Sequence, residues 1–189
     1  MKIFLAIILS IAFSQANAQT KIPKGFKKGS VMLADNSVVS GLIKDNIRSN
    51  ASVTLISETG QKKKIYNGSD IVSVEIDGAK FISIGGDFFS IISDGELCFL
   101  QKASDATGKV SYAGTDAIVS NGTEGRPGDY FIYNSQNKNL KLISKKNFDE
   151  VVASSFKGYT AAIDKAKTAS GDIAQLKEAV IVYNTRNDK

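Results

Sequence analysis

Five acidic side chains, Glu75, Asp77, Asp87, Asp94 and Glu96, crowd one short stretch of the chain. Two carboxyl groups a few Å apart can hydrolyse a glycosidic bond, one as acid and the other as base or nucleophile. Their spacing argues for a plainer use. Asp77-Gly78 and Asp94-Gly95 each separate two β-rich runs, where Asp-Gly forms hairpin turns because both residues tolerate positive φ. The one cysteine, Cys98, sits in the apolar run Leu97-Cys98-Phe99-Leu100 and reads as a small buried hydrophobe. The chain has no histidine, which excludes a Ser-His-Asp triad and a histidine-activated thiol. One Cys and no His also exclude a Cys/His zinc site. Gly85-Gly86 lacks the lysine of a phosphate-binding loop, and no segment has the alternating oxygen ligands of a calcium loop.

The expectation is therefore no catalytic, metal or cofactor residues and no cofactor. The function expected is a non-enzymatic binding module; the alternative is a carboxylate-dependent hydrolase of envelope polysaccharide. The first reading places exposed aromatic side chains near a Gly/Ser/Thr-rich insert at 101–129, which makes Tyr112, Tyr130 and Phe131 the candidate partner-binding residues. The second needs two acids facing each other in a cleft.

The start of the chain supplies the setting. Lys2 is followed by an apolar run from Ile3 to Phe13, and Ala16-Asn17-Ala18 puts small side chains at a cleavage position. That is the three-part pattern of a secretory signal peptide at 1–18. The run is too short to span a membrane, which takes roughly 20 apolar residues. No later stretch approaches that length, so no transmembrane segment is expected after cleavage. The expected location is the periplasm or the exterior, peripheral to a membrane in one variant of the reading. The expected partner is an envelope protein, glycan or lipid.

Composition fits an ordinary folded domain, with 189 residues, 42% hydrophobic and 23% charged. The net charge of +5 is unevenly placed. Residues 19–28 carry Lys21, Lys24, Lys27 and Lys28 and no acid, and read as a basic linker. Residues 29–137 carry nine basic and thirteen acidic side chains. A nucleic-acid binder concentrates Lys and Arg on its working face; with an acidic middle, no nucleic-acid partner is expected.

The elements that must position these residues follow from local pattern. The fold class expected is α+β: an antiparallel β-meander or small β-barrel-like sheet, then a helical C-terminal segment of about three short helices. The β domain spans 29–145. Eight strands are expected by Leu100, the first hairpin turning at Asp35-Asn36-Ser37 and the second at Glu58 to Gln61. Short strands at Val110–Tyr112 and Ala117–Val119 fall inside the insert, and Tyr130–Tyr133 and Leu140–Ile143 form a last hairpin. The helical tail, 146–189, is expected to pack on the sheet. Asn147 and Glu150 have the spacing of a capping box. Gly158 is placed at the end of the first helix, and Gly171-Asp172 at the start of the third.

Two resemblances accompany this layout. Gly29 to Asp35, Gly41 to Lys44, the helix start Lys146-Asn147-Phe148 and the closing Tyr183-Asn184 resemble small exported proteins of uncharacterised function from Bacteroidota-type bacteria. That resemblance implies an envelope location and supplies no site residues. Val31-x-Leu33-x-Asp35 followed by Gly41-x-Ile43 is similar to the first Sm-like motif. Ile47 and Ala51 stand where that motif has Asp and Asn, and its second half is missing, so it implies a bent-sheet shape and no RNA binding.

Overall fold

In the computed structural model the described residues are 22–58, 62–113, 115–169 and 172–186. The expected signal peptide, part of the second turn, and Gly171 lie outside them. The strands are β1 (Phe26–Leu33), β2 (Val38–Asn46), β3 (Ser52–Ser57), β4 (Lys63–Asn67), β5 (Ile71–Ile76), β6 (Ala79–Ile84), β7 (Asp87–Ser93), β8 (Leu97–Lys102), β9 (Val110–Ala113), β10 (Asp116–Val119), β11 (Tyr130–Asn134) and β12 (Asn139–Ile143). The helices are the single turn α1 (Ile47–Asn50) and, in the tail, α2 (Phe148–Ser155), α3 (Thr160–Lys167) and α4 (Leu176–Asn184). Ten strands form one open antiparallel sheet in the order β12-β11-β8-β7-β6-β5-β1-β2-β3-β4. The protein is thus α+β, a sheet followed by helices. β9 and β10 make a separate two-stranded ribbon.

Turn chemistry sets much of the meander. Asp77 and Gly78 both take left-handed conformations, with φ of 53° and 82°, as a two-residue hairpin loop requires. At Asp94-Gly95 only the glycine has positive φ, at 148°, and the β7–β8 pairing slips between Ile91 and Ser93. The two turns therefore differ although their dipeptides match. Asn184 supplies a reason: a Cβ at Gly95 would lie 2.4 Å from the Asn184 amide nitrogen, so helix α4 is docked directly on this turn.

β1 begins at Phe26, three residues before the expected boundary. Lys27 and Lys28 pair in register with Ile43 and Leu42, so they belong to the sheet, not to a linker. Gly29 and Gly41 face each other across β1 and β2, and a Cβ on either would sit 2.1 Å from the carbonyl oxygen of Glu75 or Ile56. These two glycines leave room for the neighbouring backbones of β5 and β3.

Burial follows strand alternation. On one face, Val31, Ile43, Val53, Leu55, Tyr66, Val74 and Ile76 form a core with Phe88. Farther along the sheet, Leu97, Phe99, Ile132 and Ile143 join Val152, Phe156, Ala166, Leu176 and Val180 of the tail in a second core. Phe89, Leu100 and Phe131 fill a third. β8 is buried on both faces from Leu97 to Leu100, as is β7 at Phe88 and Phe89, which explains the consecutive apolar residues there. The expected capping box at Asn147 does not form. Its side chain accepts from the Ser144 N–H and hydroxyl and donates to the Leu142 carbonyl, turned back into the connecting loop. Asp172 does cap, accepting from the Ala174 N–H at 3.0 Å ahead of α4. No helix among the described residues is long and apolar enough to cross a membrane.

Candidate functional site

Asp87 opens β7 and Lys102 closes β8; both side chains are completely buried, 3.1 Å apart. A buried charge is costly unless it is paired and its remaining hydrogen-bonding capacity is filled. Here it is filled. Asp87 Oδ1 accepts from the Ala106 N–H at 2.6 Å and the Ser104 hydroxyl at 3.2 Å. Its Oδ2 accepts from the Thr123 N–H at 2.7 Å and hydroxyl at 2.8 Å. The Lys102 ammonium donates to the carbonyls of Thr123, Glu124 and Gly125 at 2.7, 3.2 and 3.1 Å. Ser104 completes the node by accepting from the Phe88 N–H at 2.8 Å.

The consequence is architectural. One carboxylate grips Ala106 and Thr123, the two feet of the segment that carries the β9–β10 ribbon. The base of the ribbon is closed further by Gly108 N–H to Ser120 O and Ser120 N–H to Lys109 O, at 2.9 and 2.8 Å. Asp105 caps the local turn through the Thr107 N–H, and that bond holds its pKa below the ordinary carboxylate value. Lys109 reaches across to the Ser49 carbonyl at 2.9 Å. Between the ribbon base and Asn67–Ser69 lies a small surface cleft. The ribbon directs an apolar pair outward: Val110 and Val119 are cross-strand partners, 51% and 58% exposed.

The three aromatic residues singled out from sequence meet different fates. Phe131 is completely buried, edge-on to Phe89 with ring centroids 5.1 Å apart, so it offers no surface to a partner. The reason is register: Phe131 lies opposite Leu100 and Leu142 under the loop at Gly125, on a covered face. Tyr130 is half-buried and stacks on Phe99 at 5.3 Å, a packing role. Tyr112 lies on β9, paired with Ala117.

The five acids are spread over separate tasks. Asp77 sits on a hairpin tip 3.0 Å from Lys27. Asp94 accepts from the Gly95 N–H. Glu96 receives the Tyr183 hydroxyl at 3.3 Å and the Arg186 guanidinium, which also lies 3.8 Å above the Tyr183 ring. Glu75 stands opposite Lys80, and Asp87 is the clamp described above. Cys98 is buried, which pushes its thiol up to about 11. Among the described residues no three His, Cys, Asp or Glu side chains are grouped to hold a metal ion.

Sequence reasoning missed Lys102, and with it the clamp. The available signal was a lysine at the end of a strongly apolar strand, followed by small polar residues able to cover it. Fold and site together define an α+β protein whose open sheet carries a clamped ribbon. No protein-family model, curated protein or solved structure matches the chain.

Proposed function

We propose that the chain is an exported cell-envelope protein acting as a non-enzymatic binding module, and that the β9–β10 ribbon is its contact element. One observation carries this reading: an exposed apolar pair, Val110 and Val119, on a ribbon whose two feet are tied to the core by a single buried carboxylate. A fixed base limits the conformational entropy lost when the ribbon meets a partner. Exposed apolar side chains gain when covered. The export half of the reading rests on the leader pattern of residues 1–18.

The test is site-specific photocrosslinking from position 119 in living cells, with fractionation and intact-mass analysis. The expected result is a discrete crosslinked species in the envelope fraction, a chain lacking residues 1–18, and loss of the crosslink in Val110→Ser. Cytosolic protein retaining Met1 would refute the location. Turnover of envelope polysaccharide, abolished by changing one carboxylate, would refute the non-enzymatic role.

A further inference from the structure

The β1–β4 part of the sheet has a second face, turned away from its core. Antiparallel register places directly opposed residues on the same side. One row across the four strands reads Phe26–Lys44–Thr54–Ile65. The next reads Lys28–Leu42–Ile56–Lys63. Lys28, Lys44 and Lys63 are exposed, while Phe26, Leu42 and Ile56 are half-buried. Ile65 is 63% exposed. Lys63 lies with its ammonium 5.7 Å from the centroid of the Phe26 ring, which confirms that the two rows share one surface. The tail helices pack elsewhere, against β7, β8 and β12.

Neither row contains an acid. Asp77, whose N–H donates to the Lys28 carbonyl, borders the second row and is paired with Lys27, while Glu75 and Glu58 belong to the following row, beside Ser30 and Ser40, and Glu75 faces Lys80. The patch continues past the start of β1, where Ile22 is 48% exposed and Lys24 is exposed. The result is a face about four strands wide on which lysines and apolar side chains are interspersed, with adjacent strands about 4.8 Å apart.

From this arrangement we infer that the outer face of β1–β4 docks on an anionic lipid bilayer surface. The chemistry matches on two counts. Lysine stems lie along apolar surface and carry their charge outward, where headgroup phosphates sit. Phe26, Leu42, Ile56 and Ile65 present apolar area to the boundary just beneath. A soluble acidic peptide would satisfy the lysines but would leave Leu42, Ile56 and Ile65 wet. This surface is distinct from the ribbon, and lipid vesicles test it without any protein partner.

The experiment uses the chain from Gln19 onward, which contains every described strand and helix, with vesicles of phosphatidylcholine alone or mixed with phosphatidylglycerol. Cosedimentation is expected with the anionic vesicles, falling as salt rises, and little with the neutral ones. Each lysine close to an anionic surface contributes a factor of about five in affinity. The triple variant Lys28→Gln/Lys44→Gln/Lys63→Gln should therefore lose binding by at least about tenfold. Ile65→Ser, a change at an exposed position that keeps every charge, should also weaken binding. Circular dichroism and thermal unfolding establish that both variants are folded. Equal binding to both vesicle types, or undiminished anionic binding in both folded variants, overturns the inference. So does retention on a soluble polyanion by a chain that ignores vesicles.

Discussion

At the scale of single residues, the decisive pair is Asp87 and Lys102. Neither has any exposed side-chain surface, and each is satisfied by backbone groups of the insert as well as by the other. Breaking such a pair from one side leaves an uncompensated buried charge, at a cost of about 3–5 kcal/mol. Lys102→Met should accordingly lower the urea midpoint strongly and leave the Thr123, Glu124 and Gly125 carbonyls without their donor. Adding Asp87→Asn removes the orphaned charge, so the double variant should be less destabilised than the two single losses combined. Additive losses in that cycle would show that the two groups act separately. Cys98 illustrates the opposite case. It is buried, as its apolar run suggested, and burial raises its pKa.

At the scale of elements, close approaches decide how strands pack and where the tail docks. The Gly41 position leaves no room for a methyl group beside the Ile56 carbonyl, and that neighbour is backbone that cannot swing aside. Gly41→Ala is expected to destabilise by about 1–3 kcal/mol, as overpacking generally does; an unchanged thermal midpoint would show that β2 and β3 can separate freely. At its end the tail is pinned by Asn184, next to the Tyr183 and Arg186 contacts with Glu96. Asn184 Oδ1 accepts from the Leu97 N–H at 3.0 Å, and its amide nitrogen donates to the carbonyls of Leu97 and Asp94 at 2.8 and 3.2 Å. It thereby extends the edge of the β7–β8 turn into α4. The Asp-Gly dipeptide predicted a turn here correctly. Its departure from the positive-φ pair seen at Asp77-Gly78 depends on α4, which arrives from much later in the chain.

At the scale of the whole molecule, the second core joins sheet and tail. Leu97, Phe99, Ile132 and Ile143 are covered by Val152, Phe156, Leu176 and Val180. Truncation after Ser144 would expose that face, and an exposed apolar surface of this kind favours association. The shortened chain should bind a hydrophobic dye and aggregate on mild heating. A monodisperse fragment with unchanged unfolding behaviour would instead make the tail an independent module. The strands and the tail helices were legible because alternation, Asp-Gly turns and helical spacing are local signals. The candidate site was much less legible. Sequence pattern makes Phe131 an exposed aromatic, yet its strand is covered on that side by the loop at Gly125. For Lys102, nothing in neighbouring sequence reveals which carboxylate it will meet.

From sequence alone came the α+β class, most strand boundaries, the missing histidine chemistry and the leader pattern, since each depends on residues near one another in the chain. The tertiary structure decided the rest. It brought Ala106 and Thr123 to one carboxylate, set Asn184 on the Gly95 turn, and gathered Lys28, Lys44 and Lys63 onto one face. The linear charge profile had put the basic residues on the flanks of an acidic middle. Strand pairing sorts side chains by register and by face, and neither is contained in the charge of a segment.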